Sequence, residues 1–224
     1  MSEKLLVLVG SPRRNGNTAT LAEAVRRGAE KAGIALASAV MYVGLRFLDD
    51  HMTSFLRDCR TCRQANGECA IADGYRALFF EDFLPARAVI FCSPIYWYGM
   101  SAQMKAFLDR SFCHYAASAP DSHIVLQAMR GKRLGLVLAS EETYPGAALG
   151  IVHQMQEFSR YTQSDFVGVL SELGASRGDV CRDPANPVQQ AEHIGSEILT
   201  RAYSDYRLDT ERAPVVWKEM GHTK

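Results

Sequence analysis

Short apolar runs alternate with longer amphipathic segments along most of the chain. The apolar runs are rich in Leu, Val and Ile, as expected of strands covered on both faces of a sheet. They lie at Lys4–Gly10, Ala35–Val43, Arg87–Cys92, Lys132–Ser140 and Asp165–Leu173. Helical spacing is found in the segments Asn17–Ala32, Tyr75–Leu84, Ser101–Tyr115, Ala147–Tyr161 and Pro187–Tyr203. This alternation predicts an α/β fold, with a five-stranded parallel sheet and helices on both faces.

Two segments are predicted to lack regular structure. Residues 44–74 are polar and show no clear period, and residues 204–224 carry Pro214 and Trp217 among charged residues. We therefore divide the chain into one α/β domain, residues 1–203, and a C-terminal arm, residues 204–224. Two alternatives stay open for the arm, which either packs on a partner subunit or forms a frayed tail.

Composition and charge exclude several classes of function. Twenty-five Lys and Arg residues balance 25 Asp and Glu residues, which argues against a nucleic-acid partner and against a basic membrane-binding surface. The apolar runs are shorter than the roughly 20 residues of a membrane span. The first run, Leu5–Val9, is too short for a signal peptide and is followed by Pro12, Arg13 and Arg14. We expect a cytoplasmic protein with no membrane association.

The first strand leads directly into a turn of small residues, after which a helix begins. The turn consists of Gly10-Ser11-Pro12-Arg13-Arg14-Asn15-Gly16-Asn17-Thr18. Exposed backbone N–H groups and the positive end of the helix dipole make such a turn an anion site. Ser11 and Thr18 add hydroxyl donors, and Arg13 adds a guanidinium group that suits phosphate oxygens.

Two better-known phosphate loops are excluded by the spacing of this turn. The Walker A loop has four residues between its glycines and then a Lys, whereas five residues separate Gly10 from Gly16 and Asn17 follows. The dinucleotide fingerprint Gly-x-Gly-x-x-Gly is also absent. The turn therefore suits a phosphate but not a nucleoside triphosphate. A plain turn capped by Asn17 or Thr18 is the alternative.

Three consecutive aromatic residues follow the third strand. They belong to the segment Ser93-Pro94-Ile95-Tyr96-Trp97-Tyr98-Gly99-Met100, after which Ser101 is a suitable N-cap for a helix. In an open α/β sheet, ligands bind outside the carboxyl ends of the strands where the strand order reverses. In the order 2-1-3-4-5, strands one and three flank that point. The two loops together imply a planar heterocycle that carries one phosphate, and packing of the aromatics under a helix or in a subunit interface is the alternative.

These two loops resemble those of the flavodoxin-like NADPH-dependent FMN reductases, a group that includes the iron–sulfur flavoproteins. The second motif is the more specific and continues through Ser101-Ala102-Gln103-Met104-Lys105-Ala106-Phe107-Leu108-Asp109-Arg110. The resemblance covers roughly residues 4–203 and implies a flavodoxin-like fold with bound FMN. Asp109 and Arg110 are expected to make surface or interface ion pairs rather than to take part in chemistry.

The resemblance implies that three loops contact the FMN. The phosphate would be held by Ser11, Arg13, Asn17 and Thr18, with Gly16 permitting close approach. The isoalloxazine ring would be lined by Pro94, Ile95, Tyr96 and Trp97. The loop after the fourth strand, which starts at Ser140, would close the other side of the ring.

The implied reaction is oxidoreduction. NADPH or NADH gives a hydride to the flavin. The reduced flavin then passes the hydride to a small acceptor such as a quinone, a free flavin or a nitro- or azo-aromatic. The hard chemistry belongs to the cofactor, so no catalytic side chain is assigned. Because a second subunit often completes the open face of the ring in this family, a homodimer or homotetramer is expected. The alternatives are an iron–sulfur flavoprotein, a flavodoxin-type carrier of electrons to a protein partner, and a flavin-loaded sensor.

Three of the six cysteines, Cys59, Cys62 and Cys69, are clustered before the third strand. Zinc and iron–sulfur sites of this type need four ligands. The segment offers no fourth thiol, although His51 could be recruited in principle. We therefore assign no metal site and expect reduced thiols close to the edge of the flavin.

Overall fold

The fold is an open sheet, known from a computed structural model that describes residues 4–35, 42–58, 63–66, 68–116, 119–141, 144–173 and 180–201. The strands are β1 (Lys4–Val9), β2 (Tyr42–Phe47), β3 (Ala88–Tyr96), β4 (Gly99–Met100), β5 (Arg133–Ser140) and β6 (Asp165–Leu173). Five of them run parallel in the order β2-β1-β3-β5-β6. The short strand β4 pairs antiparallel with β3. The predicted α/β architecture and strand order are confirmed, with β4 as an addition.

Helices cover both faces of the sheet. They are α1 (Asn17–Ala35), α2 (Tyr75–Ala77), α3 (Ala102–Tyr115), α4 (Ser122–Met129), α5 (Leu149–Thr162) and α6 (Pro187–Glu197). A π-helical turn, Leu78–Phe83, continues α2. Buried residues of α1 and α6 pack on one face, and those of the other helices pack on the opposite face. None of the helices in the described ranges is both long enough and apolar enough to cross a lipid bilayer.

The apolar run of β1 is continuous because both of its faces are buried. Leu6 and Leu8 belong to the core under α3, whereas Leu5, Val7 and Val9 belong to the core under α1. All five side chains are fully buried. Side chains alternate between the faces of a strand, so a central strand covered by two helical layers needs apolar residues at every position.

The second strand is present, but the bounds predicted for it are wrong. It was placed at Ala35–Val43, but Ala35 ends α1 and the strand runs from Tyr42 to Phe47. Residues 36–41 lie outside the described residues. The error has a physical reason: β2 pairs with β1 alone, at the edge of the sheet. It carries Arg46, whose Nε donates to Asp82 at 3.0 Å, so its sequence lacks the apolar run of a central strand.

The remaining differences concern helix ends and one missed helix. Helix α4 was not predicted, and α6 ends at Glu197 rather than at Tyr203. Only three residues at the start of the predicted helix Tyr75–Leu84 are α-helical, because the next six form the π-helical turn. The C-terminal arm, residues 204–224, lies outside the described residues, so its interpretation stays a prediction.

A buried ion pair holds the segment between β2 and α2 against α3. The two terminal nitrogens of Arg110 donate to the carboxylate oxygens of Asp73 at 2.6 and 2.8 Å. The two side chains are only 1% and 2% exposed. Asp73 also accepts from the backbone N–H groups of Thr53 and Tyr75 at 3.0 and 3.2 Å. The expectation that Arg110 makes a surface or interface ion pair is therefore wrong within the described chain.

We predict that Asp73→Asn lowers the free energy of unfolding at pH 7 by about 3 kcal/mol, because the buried Arg110 loses its counter-ion. Burial disfavours the charged carboxylate of Asp73, but the hydrogen bonds from Arg110, Thr53 and Tyr75 outweigh it and hold its pKa below the usual value. The stabilisation is therefore full above the unfolded pKa of about 4 and is lost as the pH falls through the lowered folded pKa.

Urea denaturation between neutral and acid pH measures this contribution. The wild type should lose stability more steeply than Asp73→Asn as the pH falls below about 4. Asp109→Asn is the matched control, because Asp109 pairs with Lys105 on the exposed face of α3. Parallel acid profiles for the wild type and Asp73→Asn would contradict the role of the buried pair.

Helices α1 and α6 approach so closely that glycine is required on both. A Cβ atom at Gly28 would overlap the carbonyl of Glu192, and one at Gly195 would overlap the carbonyl of Val25. Arg27 donates to the Glu192 carboxylate across the same interface at 2.9 Å. Because the turn after β1 leads into α1, this contact also fixes the helix on which that turn depends.

We predict that Gly28→Ala lowers the free energy of unfolding by about 3 kcal/mol, because the two helix backbones must separate. Gly150→Ala on α5 is the matched control, since a Cβ there would meet only the Tyr98 carbonyl at 3.9 Å. That control should leave stability unchanged or raise it by about 0.5 kcal/mol. Urea denaturation of both variants makes the comparison, and equal stabilities would contradict the tight contact.

Candidate functional site

A cleft of about 880 Å³ opens at the carboxyl ends of β1, β3 and β5, where the strand order reverses. All ten residues predicted to contact a cofactor line it. They are Ser11, Arg13, Gly16, Asn17, Thr18, Pro94, Ile95, Tyr96, Trp97 and Ser140. The structure thus brings together three loops that are far apart in the sequence.

Four further residues line the cleft and were missed. Ala139 and Glu141 flank Ser140, and Asn15 lies inside the first turn. Their position next to predicted site residues could therefore have identified all three from the sequence. Tyr98 is the third aromatic of the second loop. Its position next to Trp97 in the sequence suggested a cleft residue, but packing under a helix or in a subunit interface was an equal alternative.

Glycine at position 10 joins the ends of β1 and β3. Its N–H donates to the carbonyl of Cys92 at 2.8 Å. A Cβ atom there would lie 2.6 Å from Oγ of Ser101, the residue that precedes α3. Only glycine lets the first turn, the third strand and the start of α3 meet at this point.

The first turn folds on itself and exposes the start of α1. The Oγ of Ser11 accepts from the backbone N–H of Arg13 at 3.2 Å. The carbonyl of Gly16 accepts from the backbone N–H of Thr20 at 3.0 Å and begins the helical pattern. The first N–H groups of a helix have no acceptor within the helix. Together with the buried hydroxyls of Ser11 and Thr18, they make this end of the cleft suitable for an anion.

The two adjacent arginines of the turn have different roles. Arg14 forms a bidentate pair with Asp50, and its guanidinium carbon lies 4.0 Å from the centre of the Phe47 ring. Its hydrogen bonds lower the pKa of Asp50. Arg13 lines the cleft and forms no side-chain ion pair or hydrogen bond with any residue that the structure describes. Arg13 is therefore the cation that can meet a phosphate.

Asn17 connects the first turn to a distant part of the chain. Its Oδ1 accepts from the backbone N–H of Val180 at 3.3 Å. Val180 is buried and begins the short 3₁₀ turn before α6. Asn17 also lines the cleft, so the residue can position the turn and contact a ligand together.

The second loop is a tight hairpin between β3 and β4. Tyr96 pairs with Gly99, so Trp97 and Tyr98 form a two-residue turn. Both have positive φ, 50° and 59°, as in a type I′ turn. For residues other than glycine, this left-handed conformation is about 1–2 kcal/mol per residue less stable than the right-handed one. The turn stores backbone strain and leaves Trp97 97% exposed.

Two serines hold the base of this hairpin. The Oγ of Ser93 accepts from the backbone N–H of Ser101 at 3.1 Å. The Oγ of Ser101 accepts from the backbone N–H of Met104 at 3.3 Å, which confirms Ser101 as the N-cap of α3. Both serines are fully buried. The strained turn therefore stands on a rigid, hydrogen-bonded base.

Of the three clustered cysteines, the structure describes Cys69, and this residue does not line the cleft. Cys69 has a free thiol and lines a different cavity. Cys59 and Cys62 lie outside the described residues. Within the described ranges, no group of three or more His, Cys, Asp or Glu side chains is placed to hold a metal ion.

The fold and the cleft define a flavodoxin-like protein with a site for a planar ligand that carries a phosphate. The sequence model of the Flavodoxin_2 family, described as having a flavodoxin-like fold, matches residues 3–175. The match covers most of the chain, so the chain belongs to this family.

Two curated relatives match nearly the whole chain. A protein of Bacillus subtilis (strain 168) is 25% identical over 89% of this chain and 98% of its own. It carries the provisional name NAD(P)H-dependent FMN-containing oxidoreductase YwqN. An iron–sulfur flavoprotein of Archaeoglobus fulgidus is 25% identical over 92% of this chain and 83% of its own.

Solved structures agree on the fold. The NAD(P)H:quinone oxidoreductase from Methanothermobacter marburgensis has a TM-score of 0.60 and is 18% identical, over 88% of this chain and 96% of its own. The Trp repressor binding protein from Bacillus subtilis has a TM-score of 0.57 and is 24% identical, over 89% of this chain and 99% of its own. At this identity the likeness shows the flavodoxin-like fold alone.

We predict that Trp97→Asn unfolds with a free energy about 1 kcal/mol higher than Trp97→Ala, because Asn tolerates positive φ and Ala does not. The Trp97 side chain is nearly fully exposed, so both variants lose equally little packing. Urea denaturation of the pair isolates the strain. Equal stabilities would show that the turn is relaxed.

Proposed function

We propose that the chain is an FMN-dependent NAD(P)H oxidoreductase that delivers a hydride or electrons to a small planar acceptor. The observation that carries this proposal is that the anion-binding first turn and the aromatic hairpin line one cleft. The names of its relatives, an FMN-containing NAD(P)H-dependent oxidoreductase and an iron–sulfur flavoprotein, support the same assignment. NADPH and NADH are both candidates for the donor.

The residues of the cleft fit FMN. The buried hydroxyls of Ser11 and Thr18, the N–H groups at the start of α1 and the guanidinium group of Arg13 suit a phosphate monoester. A volume of about 880 Å³ lies within the usual range for cofactor sites. The turn lacks the Lys of a triphosphate-binding loop. These features favour a ligand with one phosphate over a nucleoside triphosphate.

The side chains of the second and third loops would position the ring of this cofactor. We assign ring contacts to Pro94, Ile95, Tyr96 and Trp97 on the hairpin and to Ser140 at the end of β5. FMN, when bound, supplies the redox chemistry. The protein orients the ring, shields one face from water and leaves the other open for stacking, so no side chain is assigned as an acid or a base.

We also propose that a second copy of the chain covers the mouth of the cleft, giving a homodimer or homotetramer. Large apolar side chains are exposed beside it: Trp97 on the hairpin is 97% exposed and Leu149 at the start of α5 is 66% exposed. The start of α5 lies beside the hairpin, since a Cβ atom at Gly150 would be 3.9 Å from the Tyr98 carbonyl. An apolar surface of this kind marks an interaction site.

Quinones, free flavins and nitro- or azo-aromatics are the proposed acceptors, because each offers a flat ring that can stack in the same place as the nicotinamide. The second candidate function is that of an iron–sulfur flavoprotein that passes electrons to a protein partner. The name of the Archaeoglobus fulgidus relative favours it. The presence of iron separates the two functions.

The test is a visible absorption spectrum of the anaerobically purified protein, before and after addition of NADPH or NADH. The proposal expects flavin bands at about 370 and 450 nm that bleach with either donor and return when a quinone is added. Bound iron with broad absorption at about 400 nm would favour the second candidate. A colourless protein that takes up no added FMN would overturn the proposal.

We predict that Arg13→Ala weakens FMN binding by about tenfold or more, because a charge-assisted hydrogen bond to the phosphate is lost. Arg14→Ala is the matched control, since Arg14 is engaged by Asp50 and lies over Phe47. Fluorescence titration of the apoprotein with FMN and with riboflavin measures the effect. Riboflavin, which lacks the phosphate, should bind equally to the wild type and to Arg13→Ala. Equal losses in both arginine variants would contradict the assignment.

A further inference from the structure

Two of the described residues that line the cleft carry a charge. They are Arg13 in the first turn and Glu141 directly after β5. The other described residues of the lining are uncharged and supply hydroxyls, amides, aromatic rings and backbone groups. Within the described part of the chain, the charge of the lining is therefore set by one guanidinium group and one carboxylate.

These two charges belong to opposite sides of the cleft. Strands β1, β3 and β5 are neighbours in that order. Arg13 lies in the turn after β1, whereas Glu141 follows Ser140, the last residue of β5. Adjacent strands lie about 4.8 Å apart, so the ends of β1 and β5 are separated by about 10 Å. The aromatic hairpin leaves β3 between them.

Glu141 begins the connection between β5 and α5. The 3₁₀ turn Pro145–Ala148 ends this connection, and α5 follows from Leu149. The start of α5 lies beside the hairpin, since a Cβ atom at Gly150 would be 3.9 Å from the Tyr98 carbonyl. The connection therefore starts in the cleft and ends at the hairpin, so a flat ring stacked beside the hairpin meets the wall that carries Glu141.

A bound phosphate changes the balance of charge in the cleft. In the proposed holoprotein the phosphate lies against Arg13, which leaves the Glu141 carboxylate as the other charged group of the described lining. The next residue in the sequence is a second Glu. Residues 95–100 of the hairpin and residues 149–156 at the start of α5 include no Lys or Arg. The side of the cleft away from the phosphate is therefore acidic in composition.

We propose that Glu141 determines the charge class of the acceptor, so that the cleft takes neutral or cationic flat rings and disfavours rings with an anionic substituent. The inference rests on the proposed function, because it concerns the molecule that receives the hydride. At about 880 Å³, the cleft lies near the upper end of the range for a single ligand, which leaves room for an acceptor beside the cofactor. Like charges repel more strongly in a partly dehydrated cleft than in bulk water.

The same carboxylate does not exclude the hydride donor. NADPH and NADH are anionic, but their phosphates are attached beyond the ribose and not to the nicotinamide ring. The ring that enters the cleft is therefore free of negative charge. An acceptor with a sulfonate or carboxylate on its reacting ring brings the negative charge into the cleft itself.

The test is the anaerobic reoxidation of the photoreduced, FMN-loaded protein, followed by stopped-flow absorbance. The acceptors are 1,4-naphthoquinone, which is neutral, and 1,4-naphthoquinone-2-sulfonate, which is anionic. Reduction by light keeps the charge of NADPH out of the measurement. Because the two quinones differ in reduction potential and shape, the ratio of their rate constants is compared between variants.

Glu141→Gln should raise the ratio of the anionic to the neutral rate constant about three- to fivefold, the effect of one exposed charge. Glu141→Lys should raise it further, and added salt should shrink the difference between Glu141→Gln and the wild type. Glu81→Gln is the matched control. It removes the same charge at the opposite edge of the sheet, where the Glu81 carbonyl accepts from Nζ of Lys4 at 2.9 Å. An equal ratio in the wild type and Glu141→Gln, or an equal rise in Glu81→Gln, would overturn the inference.

Binding of redox-inert rings gives a second readout that does not depend on turnover. The oxidised holoprotein is titrated with 2-naphthalenesulfonate and with its neutral analogue, 2-naphthalenemethanol, and changes in flavin absorption report binding. Relative to the alcohol, the dissociation constant of the sulfonate should fall about three- to fivefold in Glu141→Gln.

The titration separates the failure of this inference from the failure of the proposed function. A chain that takes up no FMN shows no flavin bands at the outset, and that result overturns both. A loaded protein whose preference between the two rings is the same in the wild type and Glu141→Gln, or which binds neither ring, overturns this inference alone.

Discussion

The hydrogen bond from the Gly10 N–H to the Cys92 carbonyl holds the two ligand loops in one place. It ties the carboxyl end of β1 to that of β3, the two central strands from which the loops leave. The same glycine leaves room for Ser101, which caps α3 and binds Ser93 at the base of the hairpin. Because the turn and the hairpin share this junction, a change at Gly10 would disturb both halves of the cleft.

The cleft combines this rigid base with a strained tip. Asn-Gly is the usual pair for a type I′ turn, whereas this hairpin has Trp97 and Tyr98, at a cost of about 1–2 kcal/mol each. The Trp97 side chain is 97% exposed, so it contributes little packing to the described part of the fold. Strain that the base serines must hold in place, combined with a large exposed ring, is typical of a binding surface retained for its function rather than for stability.

The sequence predicts the central parts of the molecule well and its edges poorly. The strand β1 is buried on both faces, so its apolar run is unambiguous, whereas β2 lies at the sheet edge and its position was wrong. Loop chemistry next to central strands predicted the anion-binding turn and the aromatic loop, whereas the full set of ten cleft residues, including Ser140, came from the family resemblance. The different roles of Arg13 and Arg14 could not be predicted, because they depend on Asp50, which only the tertiary fold brings to the turn.

The same limit explains why the burial of the Arg110–Asp73 ion pair left no signal in the sequence. Arg110 lies on an amphipathic helix next to Asp109, and helical spacing alone places such a charge at the surface. Its burial depends on Asp73, 37 positions earlier, and on the ring of Tyr75 beneath it. A guanidinium group with two nitrogens neutralised and the third unsatisfied is costly as a purely structural element.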